Sequence, residues 1–116
     1  MRVFAFVKSD MSVPPTQELH EAIGKLADRE MKAGRLLDTG GLAPPDHSAQ
    51  VRLQNGKVSV LDGPFAESKE VIGGYAMFEL RNMDEAVALA VELLNLHKGL
   101  CPGWEGSIEL RPLAGP

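Results

Sequence analysis

The segment Arg2–Lys8 constrains the fold most, because apolar side chains occupy both its odd and its even positions. It contains the β-favouring residues Val3, Phe4, Phe6 and Val7. Neighbouring side chains of a β-strand point to opposite faces of the sheet, so this strand needs cover on both faces. The sequence therefore predicts a sheet whose two faces are both buried around this strand.

Helical and strand-like patterns alternate along the rest of the chain. Apolar residues at helical spacing indicate two helices, and the capping residues Thr16 and Asn82 mark where they begin. Alternation around Asn55-Gly56 predicts a two-residue hairpin, since this dipeptide tolerates the positive φ angles of a type I′ turn. The predicted elements after the first strand are a helix from Thr16 to Gly34, a strand around Leu36 and Leu37, the hairpin over Val51–Val60, a strand over Val71–Arg81, a helix over Met83–Lys98 and a strand over Ser107–Arg111.

This order of elements predicts an α+β fold in which residues 1–116 form a single domain. The expected architecture is a ferredoxin-like βαββαβ sandwich with an inserted β-hairpin, in which both helices cover one face of the sheet. Tyr75 and Met77 would then share the uncovered face with apolar residues of the first strand. Because soluble proteins rarely expose a large apolar surface, we expect a homodimer that packs sheet against sheet.

The composition excludes several classes of function. The chain has 12 Lys and Arg residues against 16 Asp and Glu residues and only 5% aromatic residues, so it lacks the basic stripe and the stacking rings of nucleic-acid binding. No apolar run approaches the roughly 20 residues of a membrane span, and the N-terminal residues resemble a strand more than a signal peptide. The lone cysteine, Cys101, fits a reducing compartment. We expect a cytoplasmic protein that binds neither nucleic acid nor membranes.

One segment carries a resemblance to a known family. Residues 62–70 read Asp-Gly-Pro-Phe-Ala-Glu-Ser-Lys-Glu, and Ile72-Gly73-Gly74-Tyr75 follows shortly after. This order of residues resembles the signature of the DGPF-domain, or YCII-related, family, and the rest of the chain is similar to the family along essentially its whole length. The resemblance implies a dimeric ferredoxin-like α/β barrel but no particular reaction.

The signature segment also supplies the candidate ligand-binding site. Asp62 and Gly63 form a tight bend with the following proline, and charged residues come directly after it. We interpret this segment as the rim of a pocket for a small polar molecule; the alternative is a turn held by Asp62 with a charged run in solvent. The candidate ligand-binding residues are Asp62, Gly63, Phe65, Glu67, Lys69 and Tyr75.

His20 and Asp62 are the candidate catalytic residues. The resemblance implies a helix histidine paired with an aspartate in a cleft, and His20 is the histidine of the first helix. Such a pair would transfer protons without a cofactor, provided that a carboxylate such as Asp62 or Asp38 lies within hydrogen-bonding reach. The alternative is a surface histidine at the edge of the helix.

Two further observations bound the function. Gly73-Gly74 inside a strand marks either a β-bulge or a place where a ligand or a partner's backbone comes close. No spacing typical of metal ligands and no nucleotide-binding motif occurs, so we expect neither a metal nor a cofactor. Two functions stay open at this point: an isomerase-like or lyase-like enzyme, and a non-catalytic ligand-binding or regulatory dimer, as the association of some family members with alternative sigma factors implies.

Overall fold

The computed structural model describes residues 1–63 and 70–115. Within these ranges it contains six strands, two α-helices and a short 3₁₀ turn. These elements are β1 (Arg2–Ser9), α1 (Gln17–Lys32), β2 (Leu36–Gly41), the 3₁₀ turn (Pro45–His47), β3 (Ala49–Gln54), β4 (Lys57–Asp62), β5 (Val71–Glu79), α2 (Met83–Leu100) and β6 (Gly106–Pro112). The predicted order of elements is confirmed.

Both predicted capping residues begin their helices. The Thr16 side chain accepts a hydrogen bond from the Leu19 backbone N–H at 3.1 Å, and the Asn82 side chain accepts one from the Glu85 N–H at 3.0 Å. These bonds satisfy N–H groups that have no partner inside the helix. Gly34 follows the end of α1 with a φ of +76°, the left-handed conformation that favours glycine after a helix.

The four-stranded sheet has the order β2-β5-β1-β6, and all of its neighbouring strands are antiparallel. This is the strand order of the ferredoxin-like fold, so the predicted α+β class is confirmed. Strands β3 and β4 pair with each other in a separate two-stranded sheet, as expected for an inserted hairpin. The described residues of one chain form an open sheet; a barrel would require a second chain.

The helices pack on one face of the sheet. Val3 of β1 forms the centre of the core with Leu80 and Ala86, and Phe78 and Leu89 pack around it. Helix α1 lies beside α2 on this side. Because side chains alternate along a strand, the other face carries Phe4 and Phe6 of β1 opposite Met77 and Tyr75 of β5. We call this second surface, defined by Phe4, Phe6, Tyr75 and Met77, the open face.

A buried carboxylate ties α1 to β2. The Glu30 side chain is only 1% exposed; Arg29 Nε donates to its Oε2 at 2.9 Å, and Arg35 Nη2 donates to the same atom at 2.8 Å. Arg35 Nε also lies 2.8 Å from Glu30 Oε1. Burial by itself raises the pKa of the Glu30 carboxyl, but the hydrogen bonds and charges of Arg35 and Arg29 outweigh it and hold the pKa below the ordinary value.

The double glycine of β5 lies at a β-bulge. Val7 pairs with Gly74 and Lys8 pairs with Ile72, which leaves Gly73 as the extra residue on β5. The bulge interpretation of Gly73-Gly74 is therefore confirmed. It brings Ile72 to the same side of the sheet as Lys8, at one end of the open face.

No helix in the described ranges is both long enough and apolar enough to cross a membrane.

Candidate functional site

The centre of the open face is a group of aromatic rings. The ring centroids of Phe4 and Phe6 lie 4.9 Å apart, and those of Phe4 and Tyr75 lie 5.8 Å apart, both in stacked arrangements. All three rings are half-buried in the single chain, although both helices pack on the other side of the sheet. The open face thus presents an apolar aromatic surface of the kind that usually contacts another molecule.

A hydrogen bond fixes Tyr75 at the edge of this surface. Its hydroxyl donates to Asp38 Oδ2 at 3.0 Å across the β2–β5 pair. The bond to Asp38, followed by burial, raises the pKa of the Tyr75 hydroxyl, so the group stays protonated. The ring lies over Gly40, where a Cβ atom would come within 2.9 Å of Tyr75 Cε1. Gly40 therefore leaves the space that the ring occupies.

Charged residues close the open face on the β6 side. Lys8 forms an ion pair with Glu109, and Arg111 Nη1 donates to Glu109 Oε2 at 3.1 Å. The hydrogen bond from Lys8, followed by that from Arg111, lowers the pKa of the Glu109 carboxyl. The open face therefore joins an aromatic centre to a set of paired charges.

A cleft lies at the end of the sheet where β1 ends and β5 and β6 begin, against the last turn of α2. It is wide open to solvent and has a volume of about 770 Å³. We call it the strand-end cleft. The lining side chains that carry chemistry are Asp10, Glu70, Lys98, Cys101, Trp104 and Glu105.

Packing beneath the strand-end cleft holds one of its walls in place. The Trp104 ring lies 4.2 Å from the ring of the buried His97, measured between centroids, and His97 Nδ1 lies 2.8 Å from the Leu93 carbonyl oxygen. Cys101 is buried, and its Sγ donates to the Pro14 carbonyl oxygen at 3.5 Å. Packing thus fixes the Trp104 ring, and the carboxylates of Asp10, Glu70 and Glu105 line the same cleft.

The structure places the two candidate catalytic residues on separate elements. His20 lies exposed in the first turns of α1, and Asp62 is the exposed last residue of β4, opposite Ala49. Among the residues that the structure describes, no hydrogen bond or ion pair joins His20 to Asp62 or Asp38. The proton-transfer role of His20 and Asp62 stays a prediction.

Gly63 holds the base of the hairpin against the 3₁₀ turn. Its backbone N–H donates to the Ser48 carbonyl oxygen at 2.7 Å, and a Cβ atom at Gly63 would come within 2.0 Å of the Pro45 carbonyl oxygen. The backbone approach leaves no room for a side chain, which gives this signature glycine a local structural reason. Phe65, Glu67 and Lys69, the other signature residues of the candidate site, lie outside the described residues.

We expect Gly63→Ala to destabilise the chain, because either Pro45 or the hairpin must move to admit the methyl group. The matched control is Gly24→Ala in α1, where a Cβ atom would meet no heavy atom within 4 Å. Alanine is there expected to stabilise by up to about 1 kcal/mol, since it favours the helix. Urea unfolding of both variants measures the difference. Equal midpoints for the two would contradict the close approach at Gly63.

Comparisons with known proteins agree with the resemblance. The model of a family described as the YCII-related domain matches residues 1–102. An uncharacterized protein from Rhizobium meliloti (strain 1021) is 32% identical over 108 residues, which cover 93% of this chain and 83% of that protein.

Proposed function

Since the chain belongs to the family of YCII-related domains, we propose that it acts as a homodimer that binds a small polar molecule in the strand-end cleft. The observation that carries this proposal is the composition of the cleft. It combines a supported aromatic ring, Trp104, with four charged side chains. One of these, Glu70, is the last residue of the family's signature segment.

The charges of the strand-end cleft favour a ligand with a positively charged group. Asp10, Glu70 and Glu105 supply three carboxylates against one ammonium group, from Lys98. The cleft also adjoins the C-terminal end of α2, where the helix dipole adds partial negative charge. The carboxylates and the helix dipole both attract an ammonium group. The face of an indole ring such as that of Trp104 attracts it as well, through a cation–π interaction. We therefore propose an amine or an amino acid as the ligand class.

The open face supports the homodimer. Two copies related by a twofold axis would each contribute the same surface and would cover the aromatic rings of Phe4, Phe6 and Tyr75 with those of the partner. Two four-stranded sheets packed in this way would form the dimeric α/β barrel expected from the sequence. The working unit in this proposal is therefore two chains with one strand-end cleft each.

Binding rather than catalysis is the function that the described geometry favours. Among the residues that the structure describes, no carboxylate forms a hydrogen bond with the exposed His20 imidazole, so none of them orients its proton. The Tyr75 hydroxyl already donates a hydrogen bond to Asp38, and it lies in the open face, outside the strand-end cleft. The described residues therefore provide charges and an aromatic ring for binding, but no hydrogen-bonded acid–base pair that includes His20.

A thermal-shift screen against a library of small metabolites tests the ligand proposal. A bound ligand at a hundredfold excess over its Kd stabilises the folded chain by about 2.7 kcal/mol, which is a shift of several degrees. We expect compounds with an ammonium group to raise the Tm of the unmodified chain. Glu105→Gln and Trp104→Leu should each lose most of that ligand-induced shift.

The control for this screen is Glu18→Gln, which removes an exposed carboxylate in the first turn of α1 and should keep the full shift. The comparison uses the ligand-induced change in Tm for each variant, so a lower starting Tm in Trp104→Leu does not affect it. Hits that shift all three variants equally, or hits confined to anionic compounds, would contradict the assigned cleft.

A further inference from the structure

The β3–β4 hairpin carries an aliphatic face that nothing in the described chain covers. Val51 pairs with Val60, and Leu53 pairs with Val58, so these four side chains point to the same side of the two-stranded sheet. Their exposed fractions are between 68% and 72%. We call the hairpin, residues 49–62, the arm.

The arm is amphipathic, and the described part of the chain places no second layer on it. Its other side carries polar residues such as Gln50, Arg52 and Ser59, and every residue of both strands is exposed. An isolated two-stranded hairpin is marginally stable in water, and it needs a hydrophobic surface against which to pack. Four adjacent aliphatic side chains also form a contiguous exposed apolar patch, a feature that often marks an interaction surface. The pattern of the arm therefore implies a partner surface.

We propose that the arm packs its aliphatic face on a second copy of this chain, beside the partner's open face. This inference rests on the proposed homodimer and names a second part of its interface. The receiving surface is formed by Met11, Leu42 and Ile72, three exposed apolar residues around the bulge. Leu42 N–H donates to the Gly73 carbonyl oxygen at 3.0 Å, and Met11 Sδ lies 3.5 Å from the Cβ position of Gly73. We call these three residues the bulge patch.

The bulge patch is continuous with the open face. Ile72 lies opposite Lys8, which is the next residue after Phe6 on that side of β1. A partner that covers the open face therefore already reaches the bulge patch. The partner's arm could then cover the bulge patch without a separate binding event, because the open face and the bulge patch are parts of one continuous surface.

Charge favours a second copy as the occupant. The arm holds two of the chain's 12 basic residues, Arg52 and Lys57, and one of its 16 acidic residues, Asp62. The arm is thus weakly basic, while the rest of the chain has a marked excess of carboxylates. In a twofold dimer, each arm would place its basic residues against the acidic remainder of the partner chain, so the favourable charge contact would occur twice.

Site-specific photocrosslinking tests this inference. A benzophenone amino acid replaces Leu53 at the centre of the aliphatic face, and light and heavy isotope-labelled chains are mixed before irradiation. We expect crosslinked peptides that pair a light chain with a heavy chain and that contain Met11, Leu42 or Ile72. Crosslinks within one chain, or none between chains in a sample whose light-scattering mass is dimeric, would overturn the arm inference and leave the homodimer standing.

A variant provides the second readout. Leu53→Asp combined with Val58→Asp should weaken dimerisation at least about tenfold. A substitution at a well-packed interface position often costs more binding free energy than the roughly 1.4 kcal/mol that corresponds to a tenfold loss of affinity. The control is Ser59→Asp, which adds a charge to the polar side of β4, the strand that contains Val58. Equal dimer affinities for the two variants would contradict the inference. A monomeric mass for the unmodified chain would overturn both the homodimer and the arm contact.

Discussion

Replacing Phe6 with aspartate is expected to convert the homodimer into a monomer. Phe6 lies in the aromatic centre of the open face, opposite Tyr75 on one side and Glu109 on the other. A carboxylate there would be buried in the proposed interface opposite Glu109, which already pairs with Lys8 and Arg111, and such burial costs several kcal/mol. At about 1.4 kcal/mol per tenfold step, dimer affinity should fall by roughly a hundredfold or more. Size-exclusion chromatography with light scattering measures the change.

The matched control is Val91→Asp, which places the same charge on an apolar residue of α2 that is 53% exposed. Helix α2 packs on the opposite side of the sheet, so this variant should stay dimeric. Far-UV circular dichroism and urea unfolding verify that both variants are folded. A folded Phe6→Asp variant that remains a dimer would show that the open face is not the interface.

Replacing Glu30 with glutamine is expected to give the largest loss of stability among single polar substitutions, about 2 kcal/mol, because it leaves two arginines without their shared carboxylate. Arg29 and Arg35 are partly exposed and can rehydrate, which keeps the loss below that of a fully buried pair. The midpoint of urea unfolding measures it. Asp28→Asn, which removes the exposed partner of Lys32, should hardly move the midpoint.

The pH dependence of the Glu30 variant separates charge from packing. The arginines hold the pKa of Glu30 below its value in the unfolded chain. The stabilisation is therefore present above the unfolded pKa and is lost as the pH falls through the folded pKa. The stability curves of the unmodified chain and of Glu30→Gln should converge in acid. A difference that persists below the folded pKa would mean that the carboxylate acts through packing alone.

Much of the fold was predictable because the helix caps, the hairpin turn and the strand alternation are each encoded by neighbouring residues. Thr16 and Asn82 cap their helices as expected, and Asn55 and Gly56 adopt φ angles of +54° and +75° in the hairpin turn. Alternation along β5 correctly placed Tyr75 and Met77 on the face that the helices leave uncovered. Each of these signals depends on residues that are close in sequence, which is why one sequence was enough.

The candidate site was less predictable, because it depends on strand register. The bond between Tyr75 and Asp38 follows from the pairing of β2 with β5, which contains an irregularity between Leu36 and Asp38. No local pattern reveals such a shift. No local pattern places Trp104 in the strand-end cleft either, because its position there depends on the contact with His97 of α2.

The signature segment illustrates the same limit. Asp62, Gly63 and Tyr75 were grouped because they lie close together in sequence. In the structure, Gly63 approaches the 3₁₀ turn at Pro45, while Tyr75 lies in the sheet beside Asp38. The segment thus contains residues with different structural roles, and among its described residues Glu70 lines the strand-end cleft.

Sedimentation equilibrium of the unmodified chain decides whether the working unit is two chains. If the open face joins two copies, the mass from low to high micromolar concentrations is twice the 12.5 kDa of one chain. A mass of 12.5 kDa throughout that range would contradict it.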